Sequence, residues 1–439
     1  MIRKLLHGVQ VPHRKHTRDL AAVRMPCPGS VTIPMSMHIG AAAKPIVKPG
    51  DLVQVGQPIA EAAGPVSAPI HASVSGKVKK LDDMLASNGR RVQTIVLESD
   101  GLQTPWEGSS PPTVTDRESF LNAVRASGVV GLGGAGFPTG AKLTVNRPID
   151  AIIVNGAECE PYITSDTRTM LDETELVITG AKLLQRYLDV PHVIFGIEDN
   201  KPDCIRLFRQ RCGAETGMTV KALPAMYPQG GEKVLIFHTV GRIVPEGKLP
   251  LDVGTIVINC TTLAAIARYI TTGMPLVEKC VTVDGSAVKE PKNVLVPIGT
   301  AMEEVFAFCG GFREEPKKVL YGGPMMGIAV PDLQQPIMKN TNAILAMNET
   351  DATPPEPTAC IKCGRCIAYC PLQLMPAEIE AACEQDRPEE LAALKVNLCM
   401  ECGCCSYICP ARRPLVQTNK LAKAKLTAWQ KKQQEVAAK

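Results

Sequence analysis

Two copies of one cysteine run constrain this chain more than anything else in it: Cys360-x2-Cys363-x2-Cys366-x3-Cys370-Pro371 and Cys399-x2-Cys402-x2-Cys405-x3-Cys409-Pro410. In runs of this form three closely spaced thiolates take three corners of one [4Fe–4S] cubane, and the remote fourth ligates the other cluster. The expected sets are Cys360, Cys363, Cys366 and Cys409 on one cubane, with Cys399, Cys402, Cys405 and Cys370 on the second. Pro371 and Pro410 turn the chain away after each last ligand. Paired CxxC units also build zinc sites, but eight cysteines in two identical runs argue for iron–sulfur. A disulfide framework fits less well, because nothing marks the chain as secreted. A chain built this way moves electrons one at a time.

At 439 residues the chain has room for about three domains, on a prior of roughly 150 residues each. A net charge of +4 is too small to suggest nucleic acid, and with 4% aromatic residues no basic stretch has the interleaving of a single-strand binder. Ten of the 17 cysteines lie from Cys360 onward, and the rest are scattered, as reduced thiols in a cytoplasmic protein would be. The stretch MIRKLLHGVQVPHRK lacks the apolar core and cleavage site of a signal peptide. No window reaches ~18 continuous apolar residues, so no transmembrane segment is expected.

The expected organisation is a multidomain α/β chain. Within 1–105, IVKPGDLVQVGQPIAE and VSAPIHASVSGKVKKL form a quasi-repeat of strand, glycine turn and strand. This resembles the barrel-sandwich fold of biotinyl and lipoyl carrier domains. The tip region EAAGPVSAP has no lysine to modify, so a structural or docking module is expected rather than a swinging arm. After the connector TPWEGSSPPTVTD, apolar runs of strand length (IDAIIVNGAE, VPHVIFGIED, VGTIVINCTT) alternate with helical periodicity (ELVITGAKLLQRYL, KPDCIRLFRQRC). That predicts a parallel-sheet α/β domain over 115–270, with its ligand crevice beyond the strand C-termini. Residues 276–330 return to β character, enough for a small β-grasp-like domain. A linker over 331–357 leads to a mainly helical two-[4Fe–4S] ferredoxin domain at 358–412. The basic tail 413–439, with six lysines from Lys420 to Lys439 against Glu435, is expected either to lie on an anionic surface or to be a solvated, frayed helix.

The most glycine-dense segment is Gly131-Leu-Gly-Gly-Ala-Gly136-Phe-Pro-Thr-Gly140-Ala-Lys142. Glycines let backbone N–H groups approach a phosphate, and Lys142 could add a countercharge. The preceding ESFLNAVRASGVV reads as helix and turn, so this is not the dinucleotide fingerprint that follows a buried strand. A tight turn packing helix on sheet is the plainer alternative. At the end of a predicted strand, Asn155-Gly-Ala-Glu158-Cys-Glu160-Pro-Tyr162 carries groups able to hydrogen-bond a ring system. A third glycine-rich loop is Tyr227-Pro-Gln-Gly230-Gly231-Glu232-Lys233.

GLGGAGFPTGAK followed by NGAECEP resembles the flavin loops of the flavin-bearing, NADH-oxidising subunit of respiratory complex I, which reads GRGGAGFPTG and then NADEGEP. The resemblance implies that Gly133, Gly134, Gly136 and Lys142 hold an FMN phosphate. It implies that Asn155, Glu158 and Glu160 line the isoalloxazine and nicotinamide, with Glu232 and Asn259 as partial matches further on. Two departures stand out: Leu132 replaces an arginine and Cys159 a glycine. From GVQVPHRK through PMSMHIGAAAKP, APIHASVSGKV, YPQGGEK, YGGPMMG and the double cysteine run, the chain resembles the C subunit of the Rnf complex end to end. That resemblance implies a peripheral protein on the cytoplasmic face of the inner membrane. It would bind FMN, oxidise NADH reversibly and pass electrons through two [4Fe–4S] clusters. Its membrane partners would exchange them with ferredoxin while moving Na+ or H+.

NADH gives up two electrons as a hydride whereas a cubane takes one, so a flavin belongs between them. No general acid or base is needed, and Glu158 and Glu160 are expected to position rather than to carry protons. A soluble flavin and iron–sulfur cobalamin reductase shares this architecture. A flavin-free electron relay is the alternative of another class. Cys404 breaks the spacing beside Cys405 and reads as a spectator, Cys383 as a packing residue, and the seven dispersed histidines form no separate metal site.

Overall fold

The computed structural model describes residue 6 and residues 8–437. Residues 1–5, 7 and 438–439, among them the start of the stretch 1–15 and the tail's Lys439, lie outside the described residues.

The β-rich N-terminal part makes two antiparallel sheets. One joins Ser30–Pro34, Arg91–Ser99, Gly76–Leu85 and Leu52–Val53; the other joins Lys44–Pro45, Pro58–Glu61 and Ile70–His71. Alternate residues of both sheets (Ile33, Ile59, Ile70, Val78, Ile95) meet in one buried core, as the strand period of two requires. The tip after Pro58–Glu61 is folded down rather than free. Ala41 N–H donates to Val66 O at 3.0 Å, Ala68 N–H to His38 Nε2 at 3.1 Å, and the buried Lys339 to Pro69 O at 2.6 Å.

The α/β unit has four parallel strands in the order Met218–Leu223, His192–Glu198, Ala151–Gly156 and Thr255–Asn259. Ile152 and Val154 face the core shared with helices Arg117–Ala126, Thr174–Tyr187, Pro202–Cys212 and Cys260–Thr272. Ile153 and Val257 face a second core under helix Glu232–Val240. A sheet covered on both sides must read as continuous apolar runs, which is why IDAIIV and TIVIN show no alternation. Thr255–Asn259 is the edge strand beside Ala151–Gly156, the helices that follow the two strands pack on one face of the sheet, and the expected crevice is bordered by the C-terminal ends of this strand pair.

The next domain is assembled from separated pieces. Its six-stranded sheet runs Val23–Arg24, Lys292–Pro297, Glu278–Asp284, Ala343–Met347, Lys318–Tyr321 and Ile328–Ala329, with helix Met302–Phe308 against it. The expectation of a linker over 331–357 is corrected here. Ala343–Met347, buried throughout, lies inside the sheet beside Glu278–Asp284. A five-residue apolar run shows no period that separates strand from loop or helix. The two-residue strand Val23–Arg24 likewise ties the stretch before the barrel to this domain.

The cysteine-rich part is helical: Arg365–Ala368, Pro376–Glu384, Pro388–Ala393, Cys404–Tyr407 and Leu415–Ala437, around Leu374, Ile379, Leu391 and Val396. Cys383 packs into that core. The tail is neither frayed nor spread on a surface where it meets the domain. Leu415, Val416, Asn419, Ala422 and Leu426 are buried along one face of the long helix, while Lys423 and Lys425 pair with Glu401 and Asp386. Among the described residues no helix is long and apolar enough to cross a membrane.

Candidate functional site

The crevice is bounded by two asparagines. Asn155 and Asn259 are register partners near the C-terminal ends of the central strand Ala151–Gly156 and the edge strand Thr255–Asn259. Asn259 caps helix Cys260–Thr272, its Oδ1 accepting from Thr261 N–H at 2.9 Å and Thr262 N–H at 3.2 Å, and its Nδ2 donates to Asp166 Oδ2 at 2.7 Å. Asn155 accepts from Ala157 N–H through Oδ1 and donates to Gly230 O at 2.9 Å.

The glycine loop lies across the Asn259 side. A Cβ on Gly133 would stand 2.8 Å from Asn259 Nδ2, so only glycine permits this approach. Gly134 and Gly136 have φ of +141° and +68°. Leu132 N–H donates to Thr262 Oγ1 at 3.0 Å, and two other domains hold the loop's carbonyls: Ile39 N–H donates to Gly136 O at 3.1 Å, Asn340 Nδ2 to Gly134 O at 2.6 Å. The amides of Gly133, Gly134, Ala135 and Gly136 make no hydrogen bond within the described residues, and the first three residues are exposed. A row of free N–H groups at the strand C-termini fits a phosphate-bearing ligand. Lys142 and Glu232, from two different helices, form an ion pair at 2.8 Å.

Two expected crevice residues are engaged elsewhere. Glu158 is buried at the start of helix Ser165–Asp172, accepting from Asp166 N–H at 2.7 Å, Thr167 N–H at 3.3 Å and Thr167 Oγ1 at 2.7 Å. Burial pushes its carboxyl up to about 7 against the pull of Lys15. Glu160 accepts from Met325 and Met326 N–H at 3.0 and 2.8 Å, binding the YGGPMMG loop to the strand-end loop; burial raises it too, to about 7. Both are drawn off because the loop after Asn155 coils around the half-buried Lys15, whose Nζ donates to the carbonyls of Glu158, Glu160 and Ile163. Leu132 is buried in the core and Cys159 accepts from Gly230 N–H at 3.4 Å, so neither departure from the complex I pattern is a simple gap in the crevice.

Sequence reasoning passed over the residues that order these loops: Lys15, Ile39, Asp166, Asn340. The partners that tie them to these loops are 93–206 positions distant, and no local pattern announces such contacts.

In the helical domain one cavity is lined by five cysteines: Cys370, Cys399, Cys402 and Cys405, the second expected set, together with Cys404, and Leu372, Leu374 and Val416 form its apolar wall. Burial and the neighbouring thiols of Cys402, Cys399 and Cys370 push Cys405 up to about 12. Among the described residues no three acidic, thiol or imidazole groups are grouped closely enough to hold a single metal ion. Four of the five, Cys370, Cys399, Cys402 and Cys405, have the sequence spacing of cubane ligands. Of the other set, Cys366 and Cys409 pack against Cys405 and Leu415, while Cys360 and Cys363 are exposed.

One loop joins the two regions. Tyr227 OH donates to Cys402 O at 2.7 Å, Gly231 leaves no room for a Cβ beside Met400, and Gly230 O holds Asn155. Cys404 lies inside this contact with Val9, Tyr227 and Cys402, its Sγ 3.8 Å from Tyr227 O.

Three family models match the chain: the RnfC barrel sandwich hybrid domain over 3–102, the Nuo51 FMN-binding domain over 124–268 and the SLBB domain over 280–329. The C subunit of the proton-translocating ferredoxin:NAD(+) oxidoreductase complex of Clostridium ljungdahlii is 41% identical over 383 residues, 86% of this chain and 83% of that one. Its Na(+)-translocating counterpart in Acetobacterium woodii is 41% identical over 432 residues, covering 97% of each. The fold is shared with an NAD+-reducing [NiFe]-hydrogenase chain, with a TM-score of 0.50 and 20% identity over 71% of this chain and 63% of that one. With two relatives matched over more than four-fifths of their length, the chain belongs to the family of C subunits of Rnf-type, ion-translocating ferredoxin:NAD(+) oxidoreductase complexes.

Proposed function

We propose that this chain is the NADH-oxidising electron-input subunit of an Rnf-type complex, working reversibly at the cytoplasmic face of the membrane with ion-translocating partners. The free amides of Gly133 to Gly136, with Lys142 beside Glu232, receive the phosphate of FMN. Asn155, Asn259 and Glu232 border the ring; Glu158 and Glu160 hold the crevice loop in shape without touching it. Bound FMN supplies the step from hydride to single electrons. Cys370, Cys399, Cys402 and Cys405 hold an inner [4Fe–4S] cluster, and Cys360, Cys363, Cys366 and Cys409 an outer one. The residues around the crevice place a nicotinamide and exclude water, with no proton relay required.

The observation that carries this reading is the loop 227–231, which touches the crevice through Gly230 and the inner cysteine set through Tyr227. Anaerobic purification with a visible spectrum tests it. A flavin band bleached by NADH, with about eight irons per chain, is expected; eight irons without flavin would leave only a relay. Ferredoxin reduction by the assembled complex, and not by the chain alone, distinguishes a member of the complex from a soluble reductase.

A further inference from the structure

The cavity of the inner cysteine set has one polar side chain other than its thiols, and that residue sits on the C-terminal helix. Asn419 lines the cavity and is 1% exposed. Its Nδ2 lies 3.5 Å from Cys399 Sγ, and its Oδ1 has no partner. The inner face of Leu415–Ala437 otherwise reads Leu415, Val416, Ala422 and Leu426, so an apolar residue would suit the packing. A buried amide with an unpaired oxygen is a cost the helix gains nothing from. What the amide does offer is an N–H dipole aimed at a sulfur that can only accept.

We propose that Asn419 sets the reduction potential of the inner cluster by donating to the Cys399 sulfur; this rests on the reading that Cys370, Cys399, Cys402 and Cys405 hold a [4Fe–4S] cubane. Reduction adds one electron to the enclosed cavity, breaks no bond and moves no proton; the electron comes from NADH by way of the flavin site. Added negative charge in a dry cavity is disfavoured, and hydrogen bonds to the sulfurs offset it. Two backbone groups already point inward, Leu374 N–H to Cys370 Sγ and Glu401 N–H to Cys399 Sγ, each at 3.4 Å. Asn419 adds a side-chain donor, and among the described residues no side-chain amide donates to Cys360, Cys363, Cys366 or Cys409. Lys423, one turn further on, donates to Cys399 O at 3.1 Å and pairs with Glu401, which holds the same loop in place.

The test is an anaerobic redox titration of the intact chain followed by electron paramagnetic resonance, with iron and FMN content as loading controls. In Asn419→Leu one of two one-electron midpoints should move negative while the other stays. At the wild-type midpoint the reduced fraction of that cluster should fall by up to tenfold relative to oxidised, which is about 59 mV. Asn419→Asp, of equal size but without the donor, should shift it further, and Asn419→Gln should recover part of the shift. Unmoved midpoints in a fully loaded Asn419→Leu protein would overturn the proposal. So would loss of one cluster in both the Leu and Asp variants, which would make Asn419 a packing residue. Wild-type protein that binds no iron would instead overturn the cluster reading itself.

Discussion

Gly133→Ala puts the crevice geometry to a quantitative test. The added Cβ would stand 2.8 Å from Asn259 Nδ2 and 3.1 Å from its Cγ, closer than carbon tolerates, so either the loop or the asparagine must move. Asn259 is poorly placed to yield, because it caps one helix and donates to Asp166. Losing the cap costs about 1 kcal/mol and the bond to a carboxylate about 1.5–3 kcal/mol, so a side chain that gives way destabilises the unit by roughly 2–4 kcal/mol. If the loop shifts instead, its row of amides leaves the crevice and FMN binding weakens by at least tenfold. Fluorescence of released flavin and thermal unfolding read the two outcomes separately. Asn259→Ser keeps a capping oxygen but removes the clashing amide, so Gly133→Ala should cost less than about 1 kcal/mol in that background. The coupling energy of the cycle should then exceed about 1 kcal/mol. An equal cost in both backgrounds, or full FMN occupancy with an unchanged unfolding midpoint in Gly133→Ala, would refute the contact.

Tyr227→Phe leaves the buried Cys402 carbonyl without its donor, a loss of about 1–3 kcal/mol at the contact between the two regions. Stopped-flow absorbance should show flavin reduction by NADH unchanged and the following cluster reduction slowed; equal rates would rule out the loop as a bridge. Crossed ligation requires Cys409→Ser and Cys363→Ser to leave one and the same residual cluster spectrum, with Cys370→Ser and Cys402→Ser leaving the other; a pairing by run would contradict it. For pH, burial raises Glu160 from 4.5 to about 7 in the fold. Between those values the unfolded chain releases a proton that the folded one keeps, so stability falls as pH rises through the window and levels off above it. Glu160→Gln should flatten that fall by up to about 3 kcal/mol, measured as the change in thermal midpoint with pH.

Legibility in the sequence followed the range of the interactions. The central strands and the helices Thr174–Tyr187 and Pro202–Cys212 stand where their apolar runs and periodicity put them, since each is specified by its own residues. The fold brings Cys370, Cys399, Cys402 and Cys405 to one cavity, but it also brings Cys404, which spacing alone sets aside. Edge strand Met218–Leu223 was missed, its burial being too uneven for a pattern. Ala343–Met347 read as linker because its membership of a sheet is decided by Glu278–Asp284, some 60 residues earlier. Glu158 and Glu160 misled for the same reason. Two carboxylates after a strand-end asparagine look like ligand groups until Lys15, brought in from the start of the chain, winds their backbone around its ammonium.

The fold also gives the two cysteine sets unequal places. Expected to hang on a linker, the domain is instead docked by its Cys399–Cys404 segment onto the loop that borders the crevice. The inner set therefore lies on the side of the crevice loop, with Cys402 and Cys405 buried. In the outer set Cys360 and Cys363 are exposed, as are Ile361, Lys362 and Arg365 along the same run. On the proposed reading, electrons from NADH would enter at the inner set and leave at the outer one. Asn419 acts on the inner step, where an enclosed cavity would otherwise make the first one-electron transfer the hardest.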